Sequence, residues 1–119
     1  MLKVYLVTEE REAMFEFLRK PALDINQGIQ EWKNIPNAIL LDVRETEEYA
    51  DGHIPHAKNV PLSRIKTIEN EIADKHSPIF VYCHSGARSE RAVKYMKAHG
   101  YTNIKNIGGI STYSGEKNL

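Results

Sequence analysis

The chain has 119 residues, 41% hydrophobic and 27% charged, a length and balance suited to one domain that closes a hydrophobic core without staples. Sixteen Lys and Arg offset sixteen Asp and Glu, so no basic surplus exists to attract nucleic acid or an anionic membrane, and neither is expected as a partner. A single cysteine excludes an internal disulfide, the start MLKVYLVTEEREAM reaches acidic residues too soon for a signal peptide, and no apolar run has membrane-spanning length, so a cytoplasmic location is expected.

In chain order, Leu2, Val4 and Leu6 suggest a short strand, and residues 9–19 a helix with Met14, Phe15 and Leu18 inward, ended by Pro21. Residues 1–22 are read as an extra arm before a domain spanning 23–119. Residues 26–34 place Ile29, Trp32 and Ile35 at helical spacing. The apolar run 38–41 follows Pro36-Asn37 and reads as a buried parallel strand ending at Asp42. A short helix is expected over 45–50 and a weak strand over 58–60. Leu62, Ile65, Ile68 and Ile72 predict an amphipathic helix over 62–74. The run 79–82 enters after Ser77-Pro78 and reads as a second buried strand, delivering Cys83. Residues 87–99 carry Ala92, Val93 and Met96 on one helical face, with Gly100 as the stop, and 103–107 is a last strand candidate.

Strands alternating with helices predict an α/β fold, a small parallel β-sheet flanked by helices on both faces. Ligands in such sheets bind at the carboxyl ends of strands, which is where Cys83 stands. The segment Cys83-His84-Ser85-Gly86-Ala87-Arg88-Ser89 adds a small-residue loop and a helix start. Gly86 lets the backbone curl, and a curled loop turns successive N–H groups inward as an anion nest. The helix start contributes further free N–H groups, and Arg88 a full charge. All three favour a thiolate, so Cys83 is read as a reactive nucleophile rather than a small buried hydrophobe. The same cradle, with the hydroxyls of Ser85 and Ser89, suits an anion that forms on or leaves the sulfur.

At this point the chain resembles the rhodanese family. Cys83-His-Ser-Gly-Ala-Arg88 is similar to its active-site loop, Leu41-Asp-Val-Arg-Glu45 with Glu48-Tyr49 to its Asp-Val-Arg segment, Gly52-His-Ile-Pro-His-Ala to its Gly-His-Ile-Pro-Gly-Ala segment, and Asn106-Ile-Gly-Gly-Ile110 to its late Gly-Gly turn. The resemblance runs from about residue 24 to about residue 115, in family order. It implies a rhodanese-like fold with a parallel five-stranded sheet, and sulfur transfer through a persulfide on Cys83. The sulfur donor would be thiosulfate or a persulfide, small molecule or protein, and the acceptor a thiol or cyanide. His84, Ser85, Gly86, Ala87, Arg88 and Ser89 would bind the transferring group. His56 stands where the family has a second glycine, and Tyr113 where tryptophan is common, so a turn near residue 56 and the last helix are expected to differ.

Asp42 and Arg44 are read as structural support, Asp42 accepting N–H groups of the following turn and Arg44 pairing with Glu48 or Asp51. His53, His56 and His84 raise the question of a metal, but a cation is unfavourable beside a positive nest, so no metal and no cofactor are expected. A cysteine phosphatase or an arsenate reductase would use a similar cradle, yet only four residues separate Cys83 from Arg88, a narrow nest for a tetrahedral phosphoryl group. A non-enzymatic thiol sensor or sulfur-binding module is the remaining alternative. A monomer and a homodimer are both compatible with the sequence.

Overall fold

The structure is a computed structural model and describes residues 20–22 and 24–118. The strand and helix expected within residues 1–19 lie outside the described residues, as does any role for that arm. Helix α1 (Ile25–Asn34) is capped by Asp24, whose carboxylate accepts the Gln27 N–H at 3.0 Å. Strand β1 (Ile39–Asp42), helix α2 (Thr46–Ala50) and strand β2 (Lys58–Asn59) follow. A 3₁₀ helix (Leu62–Thr67) runs into α3 (Ile68–Glu71), then β3 (Ile79–Cys83), α4 (Ala87–Ala98), β4 (Ile104–Gly109) and a final 3₁₀ turn (Ile110–Thr112).

The sheet is parallel throughout, in the order β2-β1-β3-β4. The family resemblance implied five strands; the described residues contain four. All five residues of β3 are buried, as a strand with a neighbour on each side and helices on both faces requires. Alternation along β3 divides the core in two. Ile79, Val81 and Cys83 join Leu41, Val43, Ile65, Ile68 and the inner face of α4. Phe80 and Tyr82 join Leu40, Ile107 and the inner face of α1. The period of two therefore decides that the Cys83 side chain meets α4 and not α1.

Residues 62–74 depart from the single α-helix expected. The first six residues are 3₁₀, and Arg64 leaves helical geometry at φ −119°, ψ 20°. The reason lies in the stripe itself. Leu62, Ile65 and Ile68 are spaced by three, which eclipses them on a helix of three residues per turn. Only the step from Ile68 to Ile72 is by four, and the α-helical turn forms there. Ile65, Ile68 and Ile72 are all buried, so the apolar face is as expected although the helix type is not. The last helix is reduced to one 3₁₀ turn, in keeping with the expected departure around Tyr113. No described helix is long and apolar enough to cross a membrane.

His56 sits in a turn at φ +72°, the left-handed region where a side chain crowds its own carbonyl. The turn expected to differ at this position thus keeps a glycine-like backbone and places histidine on it. Glycine there would relieve about 1–2 kcal/mol of strain, offset by about 0.4–1 kcal/mol of extra unfolded-chain freedom. His56→Gly is expected to raise the unfolding free energy by a net of about 0.5–1 kcal/mol, read as a higher urea midpoint; a lower midpoint would contradict this.

Candidate active site

After Cys83 the chain bends over residues 84–86, and Gly86 takes φ +104° immediately before α4. A β-carbon is disfavoured at that angle, and glycine is what permits the curl. The curl returns the Gly86 N–H to the Cys83 sulfur, N to Sγ 3.0 Å. Ser89, on the first turn of α4, brings its hydroxyl to 3.3 Å from the same sulfur. Cys83 is 1% exposed and packed among aliphatic side chains, while His84, Ser85 and Ala87 above it are exposed and Gly86 and Arg88 are half-buried. The sulfur therefore lies at the base of a polar loop, with an apolar wall behind it.

Two effects oppose each other at that sulfur. Burial pushes the Cys83 thiol up, because a thiolate loses water there. The Ser89 hydroxyl and the N–H groups of Ser89, Gly86 and Ser85 act the other way and prevail, holding the thiol below its ordinary value.

The loop holds this shape because β4 lets it come close. A β-carbon on Gly109 would lie 2.0 Å from the His84 carbonyl oxygen and 2.4 Å from the Ser85 Cα. Gly109 has φ −132°, open to any residue, so the requirement is one of space. The Ser111 N–H also donates to the His84 carbonyl at 3.1 Å. A register shift lets Val81 face Asn106 while Tyr82 faces Gly108, which leaves Ile107 as the extra residue of a bulge. The Asn106 side chain then reaches the loop. Its Nδ2 donates to the Gly86 carbonyl at 3.0 Å, and its Oδ1 accepts from the Ser89 hydroxyl at 2.6 Å. Asn106 was not singled out from sequence as a site residue; the available signal was an amide inside a strand pattern that disfavours one.

The charged residues pair differently from the expectation. Arg44 does not pair with Glu48 or Asp51. It forks onto Asp42, Nε to both carboxylate oxygens at 3.1 Å and Nη2 to Oδ2 at 2.7 Å, and its Nη2 also meets the Gly52 carbonyl at 2.7 Å. Asp42 is fully buried and Arg44 5% exposed, so neither could be left alone cheaply. Asp42 also accepts the Arg44 N–H at 2.8 Å, the turn contact expected of it. The alternation of β1 puts Asp42 on the opposite sheet face from Leu41, which packs with Cys83; the pair braces the neighbouring loop and does not touch the sulfur.

Glu48 instead belongs to Arg88. The two form a bidentate pair at 2.6 and 2.9 Å, and the guanidinium hydrogen bonds hold the Glu48 carboxyl down to about 2. The full charge expected of Arg88 is thus largely compensated, and the polarisation at Cys83 comes chiefly from amides and a hydroxyl. Glu48 is held in place by a capping box at the start of α2, a pattern readable in sequence, but its partner 40 residues away is not. His53 stacks on Tyr49 with ring centroids 3.7 Å apart and meets its carbonyl through Nδ1 at 2.9 Å. His56 faces Trp32, and His84 is exposed at the loop.

Gly109→Ala is expected to push the loop off β4 and turn its amides away from the sulfur. The midpoint of Cys83 alkylation against pH should climb toward about 8.5, the value of an ordinary thiol. An unchanged midpoint in a folded Gly109→Ala chain would show that this close approach is not needed.

Comparison with known proteins identifies the family. The rhodanese-like domain family matches residues 24–116. YrkF of Bacillus subtilis (strain 168), provisionally named as a sulfur carrier protein, is 33% identical over 126 residues, covering 94% of this chain and 68% of its own length. The thiosulfate sulfurtransferase PspE of Escherichia coli (strain K12) is 37% identical over 71 residues, covering 59% of this chain and 68% of its own. A rhodanese from E. coli solved with anions superposes with a TM-score of 0.63 at 33% identity, covering 68% of this chain and 96% of that one. With the four-stranded parallel sheet and the cysteine loop at its carboxyl edge, these matches establish that the chain belongs to the rhodanese-like domain family.

Proposed function

We propose that this chain is a sulfurtransferase that carries a sulfane sulfur on Cys83. The observation that supports the reading is the loop's aim: the Gly86 N–H and the Ser89 hydroxyl converge on one buried sulfur at 3.0 and 3.3 Å. Such a cradle favours an ionised sulfur, and it favours negative charge again when a persulfide forms on it.

The chemistry balances without a redox cofactor. The Cys83 thiolate attacks the outer sulfur of thiosulfate; the new S–S bond forms as the sulfur–sulfonate bond breaks, and the electron pair leaves with sulfite. A persulfide donor reacts in the same way and releases its thiolate. An acceptor thiolate, or cyanide, then attacks the outer sulfur of Cys83, takes it away, and returns the Cys83 thiolate. In this reading Ser85, Gly86, Ala87 and the start of α4, which follow Cys83 directly, would receive the outer sulfur, with the exposed His84 at the rim. Arg88, tied to Glu48, shapes the wall of that position more than it supplies charge. The thiosulfate relative and the anion-containing E. coli structure make thiosulfate the first donor to test.

The intact chain incubated with thiosulfate should gain the mass of one sulfur on Cys83 and lose it to cyanide as thiocyanate. Cys83→Ser should abolish both while keeping the fold. A chain that takes no sulfur from thiosulfate or from a persulfide, yet is readily oxidised by peroxide at Cys83, would overturn the proposal in favour of a thiol sensor. Phosphate release from an aryl phosphate in excess of thiocyanate formation would overturn it in favour of a phosphatase.

A further inference from the structure

The Ser89 hydroxyl has one hydrogen and three oxygen or sulfur neighbours within reach. They are Asn106 Oδ1 at 2.6 Å, the Gly86 carbonyl at 3.1 Å and Cys83 Sγ at 3.3 Å. Ser89 is fully buried, so water cannot take the place of a missing partner. Hydrogen accounting reduces the choice. The Gly86 carbonyl already accepts from Asn106 Nδ2 at 3.0 Å and from the Glu90 N–H at 3.1 Å, which fills its two lone pairs.

The orientation of the Asn106 amide is fixed from both ends. Its Oδ1 accepts the Gly108 N–H at 2.9 Å, while its Nδ2 faces two acceptors, the Gly86 carbonyl and Glu90 Oε2 at 3.4 Å. Oδ1 can therefore only accept from Ser89. The hydroxyl hydrogen has two possible destinations, Asn106 or the sulfur.

We propose that Asn106 is a positioning residue for the reacting sulfur, and that Ser89 switches its single hydrogen between Asn106 and Cys83. In the thiol form, Cys83 donates its S–H to the Ser89 oxygen, and Ser89 donates to Asn106. When the sulfur is ionised, the S–H is gone and the Ser89 hydrogen turns to the sulfur, leaving Asn106 Oδ1 with the Gly108 N–H. Asn106 thus competes with the sulfur for one hydrogen. It makes the ionised sulfur less favourable and more nucleophilic than the cradle alone would, and it keeps the hydroxyl rotor from pointing elsewhere. This rests on the reading of Cys83 as the nucleophile, but its test needs no sulfur donor.

The test is a double-mutant cycle on the full chain, read as the midpoint of Cys83 alkylation by iodoacetamide against pH. Ser89→Ala should raise the midpoint by about one unit, the loss of one hydrogen bond to a charged group. Asn106→Ala should lower it, and only when Ser89 is present, by less than about half a unit, because the Gly86 carbonyl at 3.1 Å, freed of the Asn106 hydrogen, becomes a weaker competitor for the Ser89 hydroxyl than Asn106 at 2.6 Å. A midpoint that Asn106→Ala leaves unchanged, raises, or shifts equally in both backgrounds overturns the switch. A chain that shows the predicted cycle yet accepts no sulfur from thiosulfate or a persulfide would keep the switch and remove the sulfurtransferase reading.

Discussion

The site depends on one backbone contact, the approach of the Cys83 loop to the end of β4 at Gly109. A single β-carbon there would meet the His84 carbonyl oxygen at 2.0 Å. Because the space is left empty, the loop can lie against the strand, Gly86 can take its left-handed angle, and the Gly86 N–H can point back at the sulfur. Asn106 stiffens the same junction from beneath, and the bulge at Ile107 brings it there. The geometry of the cysteine loop is thus a property of two strands packed side by side, and the loop sequence is only one half of it.

The electrostatics follow a similar economy. The two arginines that could bring charge to the site are each paired, Arg88 with Glu48 and Arg44 with Asp42 on the far face of the sheet. What remains directed at the sulfur is a set of dipoles, fixed by the backbone and by one hydroxyl. Dipoles of this kind need no reorganisation when charge moves from one sulfur to another. In the proposed sulfur transfer they would face a thiolate on Cys83 before the transfer, and negative charge one bond further out, on the outer sulfur of a persulfide, after it.

Much of this was legible in the sequence, for physical reasons. The runs that became β1 and β3 are short, apolar and bounded by prolines, and burial on both faces leaves such segments few alternatives. Gly86 after a strand-end cysteine announced a curl, and the curl is present at φ +104°. What failed was long-range pairing and local helix type. Arg44 could reach several carboxylates in principle, and only the fold decided for Asp42 over Glu48 and Asp51. The 62–74 stripe shows its buried face in the sequence, whereas its spacing by three selects a 3₁₀ start. Asn106 looked like one more polar residue in a weak strand, because its importance comes from contacts 17 and 20 residues away.

The most direct measurement is the ultraviolet thiolate absorbance of Cys83, the chain's one cysteine, followed against pH in the native protein and again in denaturant. Burial raises the thiol and the cradle lowers it, so the sign of the difference tells which governs. A native transition well below the denatured one is the predicted result. A native transition at or above it would mean that the apolar wall controls the sulfur, and that the loop does not keep it ionised.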